Sequence, residues 1–229
     1  MSGHLPFRNS GLRNLRVLNL EFNEIVGEIT GSIESLDSLE VLDLASNALK
    51  KILVSLGNCG RLRTLLLYSN LLEEGIPVEL GKLKSLEALD VSRNTLSGFM
   101  PKKLRNCLEL AILVLSNLFD QCEDVIGRLG GVNDDLNYFE WTIHVEVLAL
   151  PKLRILWSPM VNLEGSFQGS WNGGCESSEM VNLDQNFFKG EFPNQLIVSK
   201  RLYFLDLSSN NLTGKLFGEF QVHNMEEGT

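Results

Sequence analysis

Along the chain, leucine or a close apolar substitute returns at a fixed set of positions, spaced by polar residues and closed by asparagine. Leu15, Leu18 and Leu20 are followed by Asn23 and Ile25, and Leu39, Leu42 and Leu44 by Asn47 and Leu49. Leu62, Leu65 and Leu67 precede Asn70 and Leu72, and Leu86, Leu89 and Val91 precede Asn94 and Leu96. The series returns in Val181, Leu183, Asn186 and Phe188, then in Leu202, Leu205, Leu207, Asn210 and Leu212. Units begin at 15, 39, 62, 86 and 110, and the last two near 178 and 202, a period of 23 to 24 residues. The alternation in Leu18-x-Leu20 places both side chains on one face of a short strand, because successive strand residues point to opposite sides.

No single unit of this length can bury that face alone, but stacked units share a continuous core. The pattern therefore predicts an α/β leucine-rich-repeat solenoid of about eight units plus partial ends. Its strands form a parallel sheet on the concave face. The recurring asparagines, Asn23, Asn47, Asn70, Asn94, Asn186 and Asn210, are expected to turn inward as a ladder, pairing with backbone groups of neighbouring turns. Gly27, Gly98, Gly165, Gly190 and Gly214 stand four residues after the asparagine position, where a tight bend favours a residue without Cβ. Pro77, Pro101 and Pro193 follow and discourage regular helix, so short 3₁₀ or irregular pieces are expected on the convex side.

The fuller pattern L-x-x-L-x-L-x-x-N-x-L-x-G-x-I/F-P, seen from Leu86 to Pro101 and from Val181 to Pro193, resembles the plant-type repeats of receptor-like kinases and receptor-like proteins. The stretches SGLRNLRVLNL, LPKLRILW, EMVNLDQNFFKGEFP and LDLSSNNLTG are most similar to the ectodomain of the toadstool, or receptor-like protein kinase two, class. That resemblance implies an extracellular recognition domain at the plasma membrane, binding a secreted peptide ligand or a co-receptor ectodomain. Family members also carry an island between repeats, a transmembrane helix and a cytoplasmic Ser/Thr kinase, and no kinase motif is present here.

The register breaks in the middle. The unit starting at Leu110 and the one starting at Leu153 lie 43 residues apart, which leaves room for an insertion at 118–141 between repeats at 1–117 and 142–229. The insertion holds Asp120, Glu123, Asp124, Asp134, Asp135 and Glu140 against one base, Arg128, so it carries over half of the chain's net charge of −9. A flexible acidic excursion and an ordered binding element are equally compatible with it. Residues 137–144 read as the returning half of a repeat. Beyond it Ser158 replaces a core Leu, Val161 the ladder Asn and Ser178 a Leu. The chain opens in mid-repeat, with no signal-peptide pattern after Met1 and no flanking cysteine pair, which suggests a segment of a longer receptor or a truncated product.

Composition narrows the chemistry. An acidic chain without basic clusters is unsuited to nucleic acid, and its longest apolar run is too short to cross a bilayer. Cys59, Cys107 and Cys175 each stand three residues before a unit start, where Leu36 and Leu83 stand in other units, so they read as buried apolar residues. Cys122 lies in the insertion. No close Cys/His spacing suggests a metal, and His4, His144 and His223 are scattered outside any nucleophile motif. The chain is read as non-catalytic and free of cofactor. Asn211-Leu212-Thr213 is a glycosylation sequon.

Register also identifies the surface that could bind. The residue between the two core positions of each strand faces solvent on the concave side, giving the column Asn19, Asp43, Leu66, Asp90, Val114, Trp157, Asn182 and Asp206. Val114 and Trp157 stand out there. With Tyr68, Ile112, Ile155 and Met160 they form a predicted apolar patch at the fifth and sixth units, where a Trp is a favoured anchor. Equally open is that the insertion folds over the patch and makes Trp157 structural. A second function class is an inhibitor of secreted pectin-degrading enzymes, since plant repeat proteins of this size and pattern act so, though those carry a signal peptide and capping cysteines.

Overall fold

In a computed structural model the described residues are 2–3, 12–29, 31–52, 54–116, 138–139, 141–142, 147, 149–167, 177–192, 196 and 199–214. Eight three-residue strands line one parallel sheet in chain order: β1 Val17–Asn19, β2 Val41–Asp43, β3 Thr64–Leu66, β4 Ala88–Asp90, β5 Ile112–Val114, β6 Ile155–Trp157, β7 Met180–Asn182 and β8 Phe204–Asp206. Each pairs with the next in the register the repeat implies, for example Leu42 opposite Leu65 and Leu89 opposite Leu113. Neither β5 nor β6 loses that register across the 43-residue interval, since Leu113 faces Leu156. Leu42, Leu65, Leu89 and Leu113 are fully buried, one above another, in a core that runs from Ile25 to Leu196.

The asparagines do turn inward. Asn70 donates from its amide to the carbonyls of Leu44 in the preceding unit and of Leu67 in its own, both at 3.0 Å, while its oxygen accepts the Leu49 N–H at 3.0 Å. Asn47, Asn94, Asn186 and Asn210 repeat this arrangement. Each amide thereby ties two turns together and satisfies backbone groups that burial has taken from water. Immediately before each ladder position the backbone is left-handed. Phe22, Ser46, Ser69, Arg93, Met160, Gln185 and Ser209 all have φ between 51° and 55°. Nothing in the hydrophobic pattern marks this bend, because serine, arginine and phenylalanine are ordinary loop residues.

All five glycines expected at tight bends have positive φ, from 80° to 148°. In the third unit the same place is taken by Glu74, which adopts φ 62° without glycine's freedom. On the convex side lie the short 3₁₀ turns Gly31–Ser35, Val54–Asn58, Val78–Lys82 and Lys102–Asn106, the last two entered through Pro77 and Pro101. They stack closely. A Cβ at Gly81 would lie 2.4 Å from the Lys103 carbonyl oxygen, so this contact requires glycine. Cys59 and Cys107 are buried among these turns, as their register implies, with their thiols toward the carbonyls of Ile33 and Leu80.

Most of 118–141 lies outside the described residues, as do Cys122, Cys175, Pro193 and the three histidines. Two backbone pairs bracket its end: Tyr138–Phe139 runs parallel to Ser97–Gly98, and Trp141–Thr142 to Leu163–Glu164. The chain at 138–142 thus takes the place in the outer ladder that the second half of a repeat would take. Ser158 and Val161 are both fully buried at their core and ladder positions. The Ser158 hydroxyl has no hydrogen-bond partner there, and Val161 supplies no amide. Among the described residues no helix is long and apolar enough to cross a membrane.

Candidate functional site

Five of the eight concave strands end in the same small device. The side-chain oxygen of Asn19, Asp43, Asp90, Asn182 or Asp206 accepts the N–H two residues further on, at 2.9 to 3.1 Å. This local turn is the favoured habit of Asn and Asp at a strand end. Asp43 and Asn182, read from register as solvent-facing, are in fact buried, whereas Asn19, with the same bond, is exposed at the first strand. Each side chain folds down onto the backbone.

Leu66, Val114 and Trp157 occupy the same position in β3, β5 and β6 and cannot accept a hydrogen bond. After Trp157 the consequence is nil, because the residue two further on is Pro159, which has no N–H. After Leu66 and Val114 the N–H groups of Tyr68 and Ser116 are left without an acceptor among the described residues. Both line the same concave hollow, of about 420 Å³, together with Asp90, Ser92, Arg93, Val114 and Trp157.

One wall is aromatic. Trp157 is half-buried because its ring stacks on Phe204, two strands away, with centroids 5.4 Å apart and planes inclined at 27°. The other wall is acidic. The Tyr68 hydroxyl donates to the Glu21 carboxylate, and burial together with Glu21, Asp43 and Asp90 pushes its pKa far up, so it stays a phenol. Burial also raises the Asp90 carboxyl, against the opposing hydrogen bonds from the Ser92 N–H and hydroxyl. Burial likewise raises Asp43, with Glu21 contributing. Among these residues Arg93 is the sole base, so the hollow has apolar, donor and acidic surfaces side by side.

The hollow brings Tyr68, Val114 and Trp157 together. Ile112 and Ile155 face each other on paired strands, one exposed and one half-buried, yet neither lines the hollow. Met160 lies outside it too, at one of the left-handed bends. Register placed Asp90 on the concave face without marking it as part of a site, and it missed Ser92, Arg93 and Ser116, which following each unit three residues past its strand would have found. Asn211 is exposed on the short outer strand Asn211–Thr213. No group of three or more potential metal ligands occurs among the described residues.

Comparison with known proteins agrees with this architecture. The family described as Leucine rich repeat matches residues 13–72, and the single Leucine Rich Repeat unit matches 85–107 and 201–222. Receptor-like protein 41 of Arabidopsis thaliana is 37% identical over 117 residues, covering 49% of this chain and 13% of that protein. Among solved structures, a TDR receptor superposes with a TM-score of 0.77 at 27% identity, over 92% of this chain and 33% of that one. The ectodomain of the Arabidopsis receptor kinase HAESA, in complex with the peptide hormone ligand IDA, gives the same TM-score and identity over 92% of this chain and 32% of that one. The chain therefore spans a small part of its curated relative and about a third of these ectodomains. Repeat sequence, parallel ladder and these matches together make the chain a leucine-rich-repeat solenoid, similar to plant receptor-like proteins and receptor ectodomains.

Proposed function

We propose that the concave hollow between Tyr68 and Trp157 is a recognition site for a secreted peptide or a co-receptor ectodomain in cell-surface signalling. The observation that carries this reading is the loss of the polar strand-end device at the centre of the array. There Leu66, Val114 and Trp157 replace it and open an apolar hollow with unpaired donors. Surfaces of this kind, with an aromatic anchor beside polar groups, are where interaction energy concentrates. The HAESA ectodomain, of similar fold, was solved with a peptide hormone, which supports the same use here. On this reading the chain acts outside the plasma membrane, contributes binding rather than catalysis, and signals through partners.

The acidic segment at 118–141, which follows β5 in the chain, is assigned a part in partner choice. Titrating the chain against a panel of synthetic secreted peptides and co-receptor ectodomains tests the proposal. Trp157→Ala is expected to weaken binding by about 2 kcal/mol while leaving the thermal unfolding transition in place. Unchanged affinity in that variant would remove Trp157, and with it the site.

A further inference from the structure

We infer that the solenoid is built as two blocks, residues 12–116 and 147–214, that come apart as units at the join of β5 and β6. The amide ladder itself draws this boundary. The carbonyl just past a concave strand, at Leu20, Leu44, Leu67 and Leu183, accepts one side-chain amide from its own unit and a second from the next. Among the described residues the Val91 carbonyl accepts only the amide of Asn94, and the Ser158 carbonyl only that of Asn186. Between them lies Leu115, fully buried, whose carbonyl accepts no amide from any described residue. The chain has Leu118 and Val161 where those two amides belong.

The other links across this join are thin. β5 and β6 keep their three-residue register, but the outer ladder crosses through 138–142, which gives two residues to Ser97–Gly98 and two to Leu163–Glu164. Beyond it, in the second block, outer strands pair over three residues. The Glu109–Lys152 ion pair across the join is exposed and contributes little. The sixth unit carries costs of its own: Asn162 joins Met160 in left-handed backbone, at φ 56° and 55°, and the buried Ser158 hydroxyl has no partner. The third unit behaves differently. The outer ladder lapses there too, yet the Leu71 N–H still reaches the Leu49 carbonyl and the Ser97 N–H the Glu74 carbonyl, and the Asn70 and Asn94 amides are in place. Because the stability of a repeat array is a sum of unit and neighbour terms, it divides where the neighbour term is weakest.

The join runs through the hollow. Tyr68, Arg93 and Val114 line it from the first block and Trp157 from the second, where Phe204 holds the Trp157 ring. Opening the join therefore draws the aromatic wall away from the acidic one. On the recognition reading above, a partner gripping both walls ties the blocks together, and its binding free energy adds to their docking.

Native-state amide exchange of the full chain in low urea, read by peptide mass spectrometry, tests the two blocks without any ligand. Amides of β6 and β7 are expected to share one opening and to exchange at least about tenfold faster than those of β3 and β4, the worth of the missing amide bonds. The step is expected between β5 and β6. Trp141, Trp157 and Trp171, the three tryptophans, all follow β5 in sequence, so fluorescence is expected to give a lower urea midpoint than far-UV circular dichroism. Val161→Asn returns an amide to the Leu115 and Ser158 carbonyls and is expected to shrink both differences. Exchange that quickens smoothly from β5 to β8 would mean fraying from one end and would overturn the inference. One opening shared by β3 to β7, with coincident midpoints, would overturn it as well. A folded Val161→Asn variant that leaves the step untouched removes the ladder gap as its cause and does the same; if that variant does not fold, the parent's exchange pattern decides. The recognition site stands or falls separately, on Trp157→Ala.

Discussion

Replacing Asn94 by alanine removes one amide that four backbone groups share, and leaves two of them, the Val91 carbonyl and the Leu72 N–H, without any partner. The Asn94 Nδ2 group donates to the carbonyls of Leu67 and Val91 at 3.0 Å and of Ser92 at 2.9 Å, and its Oδ1 accepts the Leu72 N–H at 3.1 Å. The site is 4% exposed, so water cannot replace these bonds without the turn opening. A buried backbone group without a partner costs about 1–3 kcal/mol. Two amide hydrogens are shared among three carbonyls, so those bonds are individually weak, and the turn relaxes somewhat after truncation. The expected loss is about 3 kcal/mol, roughly a hundredfold in the folding equilibrium.

Urea unfolding followed by far-UV circular dichroism measures it. A loss below about 1 kcal/mol for Asn94→Ala would refute the claim that bridging between turns is what the ladder contributes.

Three further outcomes follow from the buried groups. Burial raises the Cys59 and Cys107 thiols to about 11, so both are expected to resist alkylation at neutral pH and to react on adding denaturant, read by peptide mass mapping. Asp90 has its folded pKa raised above the ordinary carboxylate value by burial, so the native state holds the proton more tightly than the unfolded chain. Stability from this group therefore falls as pH rises through that window. Asp90→Asn, which keeps an oxygen for the Ser92 N–H, is expected to melt higher than the parent at neutral pH and to lose that advantage as pH drops below the folded pKa. An advantage that grows on acidification would contradict the sign. Ser158→Ala deletes a buried hydroxyl that has no partner and is expected to stabilise by about 1 kcal/mol in the same urea assay; a destabilised variant would mean that the hydroxyl is satisfied in solution.

The sequence by itself determined the solenoid, because every unit carries the same instructions and they act locally or between immediate neighbours. Leu18, Leu42, Leu65 and Leu89 recur at one strand position, so stacking them is the one way to bury them all. Asn47, Asn70 and Asn94 recur where a turn leaves carbonyls unpaired, and Gly98, Gly190 and Gly214 where the backbone turns left-handed. Even the cysteines could be placed, since Cys59 and Cys107 stand where other units have leucine.

Only the tertiary structure decided what the concave surface offers. Counting positions made Asp43 and Asn182 look outward, whereas both are buried, their side chains accepting the backbone N–H two residues on. The same device makes Leu66 and Val114 informative for a reason unrelated to their apolarity: they leave two N–H groups unclaimed. Trp157 is half-covered by Phe204, a residue 47 positions away in sequence and two strands away in space. Ile112 and Ile155 pair on the strands that carry Val114 and Trp157, yet with Met160 they do not line the hollow. Such facts depend on where each unit's loop settles against the next. Periodicity fixes which residues face one another, while rotamer, turn and cap decide which of them remain available to a ligand.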